Sequence, residues 1–254
     1  MMPTVERVRR AIRPSQDDFE EAESEQQATR TALIAIDLAA NARTDDSPTA
    51  KARWLAIGPE MDTALRWALA ADHPTAPTLA ASLGILVEQY GSDARSVSAL
   101  VLAGRNAYVR DTATAQELLA LGTAIAPVDV VLVDQLATTA LGRAVNSRDR
   151  LLAFHLAGVA DTYNNRGRDA LAMLDVAEQL ALEFRDEWEA AAISQTQAIA
   201  LTRGETRNRR DALAAFETAA RRYDSAGDRM HVRSCRYMMA LTAAQNGNES
   251  DPHA

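Results

Sequence analysis

Four histidines (His73, His155, His231 and His253) and a single cysteine, Cys235, are the side chains best suited to ligate a metal or attack an electrophile. Zinc ligation needs several such groups on one helix face, as in His-Glu-x-x-His, or converging from neighbouring elements. None of the four histidines stands in that spacing. One cysteine cannot form an internal disulfide, and Cys235 lies beside Tyr237 and Met238 with no base in its pattern, so a buried thiol is the expectation. There is no Gly-x-Ser-x-Gly elbow. A phosphate-binding loop needs glycine-rich backbone donors ahead of a lysine, and the only lysine, Lys51, follows Thr49-Ala50. The residue types therefore point to a chain that makes and breaks no bonds: no enzyme, no cofactor, no metal.

Charge narrows the partners. Arg203, Arg207, Arg209 and Arg210, followed by Arg221, Arg222, Arg229, Arg233 and Arg236, form the densest basic region. Glu205, Asp211, Glu217 and Asp228 are interleaved with it and balance it. The net charge of −8 and pI near 5.1 argue against a protein built to hold a phosphate backbone, so nucleic acid is an unlikely partner. No run approaches a membrane span and no apolar leader opens the sequence, so the expected location is cytoplasmic.

The elements that must position these residues are helices. Alanine is abundant and aromatics are only 5%, which favours closely packed helices over a sheet. Val130-Val131-Leu132-Val133 is the one strand-like patch, and it lies inside a helical pattern. Helices are expected over 29–42, 51–56, 60–71, 79–90, 95–109, 113–126, 128–145 and 147–165. Ser47-Pro48 suits a helix start, Gly58-Pro59 is expected to break or kink the chain, and Gly167 is expected to end the 147–165 helix. Four more helices follow over 169–184, 187–202, 209–225 and 229–245. A charged, flexible segment (1–28) would precede the helical domain (29–245), and a disordered tail (246–254) would follow it.

The clearest regularity lies in 148–245. Arg168-Asp169-Ala170-Leu171 aligns with Arg210-Asp211-Ala212-Leu213, 42 positions on. Leu174 and Ala177 then fall on Phe216 and Ala219, Arg185-Asp186 on Gly227-Asp228, and Gly158 on Ala200. A period of this size marks an array of helical hairpins, each burying its apolar face against its neighbours.

The small residue at the helix crossing (Gly158, Ala200) and the Ala–large–Ala triplets resemble the tetratricopeptide repeat, with a longer unit than that family's and with Leu182 and Asp224 where it often has Pro. Trp54-Leu55 and Glu60 to Leu69 resemble the segment after the ATPase and winged-helix modules of AfsR-type and LuxR-type regulators of the signal-transducing ATPase class. Neither a phosphate-binding loop nor a separate helix-turn-helix domain is evident in this sequence. The resemblance implies an all-α fold of antiparallel hairpins stacked as a right-handed solenoid, and a protein-interaction role in transcriptional regulation or signalling.

It also implies that the first helix of each hairpin lines a concave face. On the 42-residue register, His155, Gln197 and Met239 would form one row and Leu152, Ser194 and Arg236 another, with Tyr163 and Asn164 at the same edge. Recurring polar residues along a groove suit capture of a peptide or partner helix. The alternative is a small-molecule sensor holding its ligand inside the superhelix.

Overall fold

The computed structural model describes residues 16–42, 45, 47–91, 94–203 and 208–244. The arginine-rich start (Arg7, Arg9, Arg10, Arg13) and the 246–254 tail lie outside the described residues. All the regular structure described is helical: α1 (Gln16–Ala42), α2 (Pro48–Ala70), α3 (Ala76–Tyr90), α4 (Ala94–Arg105), α5 (Ala107–Thr112), α6 (Ala115–Ile125), α7 (Val130–Arg143), α8 (Ser147–Tyr163), α9 (Gly167–Glu183), α10 (Glu187–Leu201), α11 (Arg209–Ser225) and α12 (Arg229–Ala244). Helices adjacent in sequence pack in neighbouring pairs, and α1, α3, α6, α8 and α10 also follow one another as neighbours in space.

Several boundaries depart from the sequence pattern. Helix α1 starts at Gln16 and so takes in much of the segment expected to be flexible; Glu, Gln and Ala favour helix, and Ala28, Thr31, Ala32 and Ala35 give the helix a buried stripe. Pro59 does not end α2. It lies on an exposed face inside the helix, where its missing donor costs least, and Trp54 packs under Gly58. The expected 95–109 helix divides at Asn106, whose Oδ1 caps α5 by accepting from Val109 N–H while its Nδ2 donates to Leu69 O. Gly167 opens α9 instead of ending α8. The left-handed turn residue there is Asn165 (φ 58°).

Turn chemistry repeats along the second half. Asn165, Arg185 and Gly227 each take positive φ at the end of a helix. The next N–H, from Arg166, Asp186 or Asp228, returns to a carbonyl five residues back (Asp161, Ala181 or Tyr223). Side-chain caps then start the following helices. Asn146, Asp186, Asn208 and Asp228 each accept from the backbone N–H three residues on, at Asp149, Glu189, Asp211 and His231.

Small residues set the helix spacing. A Cβ on Gly84 (α3) would come within 2.7 Å of the Ala120 carbonyl oxygen on α6, and one on Gly158 (α8) within 2.4 Å of Leu174 on α9. Gly122 makes an equally close approach to Leu156 between α6 and α8. Such contacts let the backbones approach closely and leave no room for even one methyl group.

Candidate functional site

The spatial sequence α1, α3, α6, α8, α10 carries a groove. At one end, a cavity of about 340 Å3 lies between α3, α6, α8 and α10, with Tyr223 of α11 at its base. A second hollow of similar volume runs over α1, α3 and α6. The two share Ile85, Gln116 and Ala120 as lining, so they lie next to each other along these helices.

Each helix contributes residues at helical spacing. Helix α8 supplies Arg148, Leu152, His155, Val159 and Tyr163, and α10 supplies Trp188, Ala192, Gln195, Thr196 and Ile199. At the centre sits a buried pair. His155 Nδ1 is 2.6 Å from Glu189 Oε1, and each residue is 4% exposed. A carboxylate only accepts, so Nδ1–H is the donor. The other ring nitrogen faces Thr196 Oγ1 at 3.3 Å, while the Thr196 hydroxyl donates to Ala192 O. Arg148 bridges to Asp186 at 2.7 Å. At the rim the Arg203 guanidinium stands 4.5 Å over the Tyr163 ring. Burial raises the Tyr163 pKa.

Behind the cavity, Asp228 is fully buried at the start of α12. Its Oδ2 accepts from Trp188 Nε1–H at 3.0 Å and from His231 Nδ1–H at 2.7 Å, and its Oδ1 accepts from His231 N–H at 3.0 Å. Tyr223 stacks on His231 with centroids 4.8 Å apart and donates its hydroxyl to Gln195 Oε1. Burial works against the Asp228 charge, but the His231 and Trp188 bonds outweigh it and hold the carboxyl below its usual range. Cys235 is buried beside this cluster; burial, with the Asp228 charge second, pushes its thiol up to about 12.

The structure separates the residues that the 42-residue register groups. Leu152, His155 and Tyr163 line the cavity. Asn164 is the cap at the end of α8, bonded through its N–H to Ala160 O. Ser194 and Gln197 lie on the other side of α10. Ser194 Oγ accepts from Arg222, which also donates to Glu178 and to Ala190 O. Gln197 Nε2 donates to Asp175 and Glu178. On α12, Arg236 is exposed and Met239 packs against the Phe216–Tyr223 cluster.

The physical reason is a change of spacing. Helices α9 and α11 start 42 residues apart, as do α10 and α12, but α8 and α10 start at 147 and 187, only 40 apart. His155 therefore corresponds to Gln195, Leu152 to Ala192, and Gly158 to Ala198, which packs in the cluster of Phe216. A two-residue slip turns a helix by roughly 200°, which puts Ser194 and Gln197 on the face opposite the cavity. The capping residues carried the signal that reveals this: Asn146 and Asp186 are themselves 40 apart. Nothing in the 42-residue repeat pointed to Glu88, Gln116 or Thr123, which come to the cavity from α3 and α6.

Among the described residues no three His, Cys, Asp or Glu side chains converge as a metal site, and no helix is long and apolar enough to cross a membrane. Comparisons with protein-family models, curated proteins and solved structures gave no match.

Proposed function

We propose that this chain is a non-catalytic interaction module, a tetratricopeptide-like array of hairpins stacked as a right-handed solenoid, whose groove takes a segment of a partner protein. The observation that carries the reading is the adjacency of the two hollows, which share Ile85, Gln116 and Ala120, along five helices that are successive neighbours. A preformed groove binds an extended chain without paying to order itself, and alternating apolar and polar lining suits side-chain recognition. Resemblance of the Trp54 to Leu69 stretch to bacterial regulators supports a role in regulation or signalling.

Catalysis has less support. Glu189, His155 and Thr196 are aligned as acid, base and hydroxyl, but the Thr196 proton is committed to Ala192 O.

The test is affinity purification of the tagged chain from its own cells, beside a Gln116→Trp variant that blocks the junction of the two hollows. A reproducible partner lost with Gln116→Trp supports the groove. A partner retained equally by both proteins refutes it. One observation favours a second reading, a small-molecule sensor: the cavity of about 340 Å3 around the buried His155–Glu189 pair falls in the range of small-ligand sites. A metabolite that raises the melting temperature of wild type, at concentrations where no peptide competes, would select that reading.

A further inference from the structure

The described row of helices begins with α1 and ends with α12, and both show an exposed apolar stripe. Helix α1 packs on α2 and α3 through a buried face that includes Ala28, Ala35 and Leu38, and α12 packs on α11 through Val232 and Cys235. Away from those contacts, α1 exposes Thr29, Leu33, Ile36 and Ala40 at helical spacing, and α12 exposes Tyr237, Ala240, Leu241 and Ala244. Leu33 and Tyr237 are each 64% exposed. A stacked array stays single when its end faces are polar, and here neither end is.

Charge selects what covers them. Helix α1 carries seven acidic residues, six of them between Asp17 and Glu25, against one arginine, Arg30. Glu25 stays 60% exposed although His73 Nε2 lies 3.7 Å away. Helix α12 carries Arg229, Arg233 and Arg236, all exposed, and no acid. In both helices the charges come mainly before the apolar stripe. Glu25 and Leu33 are eight residues apart, as are Arg233 and Leu241, so a parallel pairing sets acid beside arginine and leucine beside leucine. Two copies of α1 would repel through their acids, and two of α12 through their arginines.

We propose that the chain associates with itself head to tail, α12 of one copy docking in parallel on α1 of the next. Each copy presents both faces, so the contact is heterologous and extends beyond two copies. One helix face against another is a small contact, so association rises with concentration, and its charged half makes it weaken in salt. The proposal stands apart from the groove, and Gln116→Trp should leave association unchanged.

Sedimentation velocity of the full chain, over a range of concentrations at low and high salt, tests this. Wild type should show mass above one chain that grows with concentration and shrinks at high salt. Leu33→Asp puts a carboxylate into the apolar contact from α1, and Tyr237→Asp/Leu241→Asp does so from α12. Each should raise the concentration needed for association at least about tenfold. Mixed in equal amounts, the two variants should form a species of two chains and nothing larger, because one intact α1 and one intact α12 remain. An α1–α1 or α12–α12 dimer would spare one variant and gain nothing on mixing. Arg229→Glu/Arg236→Glu should weaken association roughly tenfold. Val131→Asp, at an equally exposed site on α7, should leave it within about twofold. Circular dichroism confirms that each variant is folded.

Wild type that stays a single chain at every concentration in low salt would overturn the proposal. So would a mixture that stays monomeric, association retained by either variant alone, or a loss in Val131→Asp equal to theirs. Loss of association in Gln116→Trp would move the contact to the groove and overturn it as well.

Discussion

Removing the Asp228 carboxylate tests how the last two hairpins are joined. Asp228 is fully buried and accepts three donors, from Trp188 on α10 and from the ring and backbone of His231 on α12. In Asp228→Ala the cap on α12 is lost, which costs about 1 kcal/mol. The part-buried Trp188 N–H loses its Asp228 acceptor, adding about 1–3 kcal/mol. The His231 ring escapes part of its penalty by moving its proton to Nε2. The total is about 3 kcal/mol, or a fall of roughly 6–12 °C in Tm for a chain this size. Asp228→Asn restores the cap oxygen but presents an N–H to Trp188 and His231, so it recovers only about 1 kcal/mol of that loss.

Urea unfolding followed by circular dichroism gives these values for wild type, Asp228→Ala, Trp188→Phe and the double variant. Trp188→Phe removes the orphaned donor, so its cost must shrink or change sign in the Asp228→Ala background. Equal cost in both backgrounds, or an Asp228→Ala variant within about 0.5 kcal/mol of wild type, would refute the reasoning. The pH profile gives a second check. The folded carboxyl lies below its usual 3.8. The stabilisation is therefore complete above the unfolded value and drains away as pH falls through the folded one. Asp228→Asn should flatten that acid limb.

Two further predictions concern packing and reactivity. Gly158→Ala, whose Cβ would meet Leu174 at 2.4 Å, should destabilise by about 1–3 kcal/mol, and Gly84→Ala by more, because its obstacle is the fixed Ala120 carbonyl; thermal denaturation measures both, and a neutral Gly84→Ala would contradict the α3–α6 approach. Cys235, fully buried with its thiol pushed up to about 12, should react with a disulfide reagent at pH 8 only as the chain unfolds; labelling of the native protein within minutes would disprove that burial.

Much of the fold was legible along the chain because its causes are local. Ser47-Pro48 starts α2 by a cap at 3.1 Å. Arg185-Asp186 and Gly227-Asp228, which the 42-residue alignment pairs, make the same left-handed turn and cap. Gly158 stands at a helix crossing, as its small size suggested. Gly167 and Gly58-Pro59 misled, since a glycine can open a helix and a proline on a solvent face can ride inside one.

The candidate site was legible only in part. Leu152, His155 and Tyr163 reach the cavity because one helix with a fixed period presents them together. Ser194 and Gln197 do not, because the α10–α11 connection is longer than the α8–α9 one, so the repeat of second helices does not date the first helices. What the sequence by itself determined is which residues are helical, where the helices start and turn, and which small residues allow close crossing. The tertiary structure alone decided which face of α10 meets which face of α8, and which side chains of α3 and α6 complete the cavity. Turns and caps are set by neighbours a few residues away. A groove is set by the rotation of helices about their axes, and there a net change of two residues in spacing reverses a face.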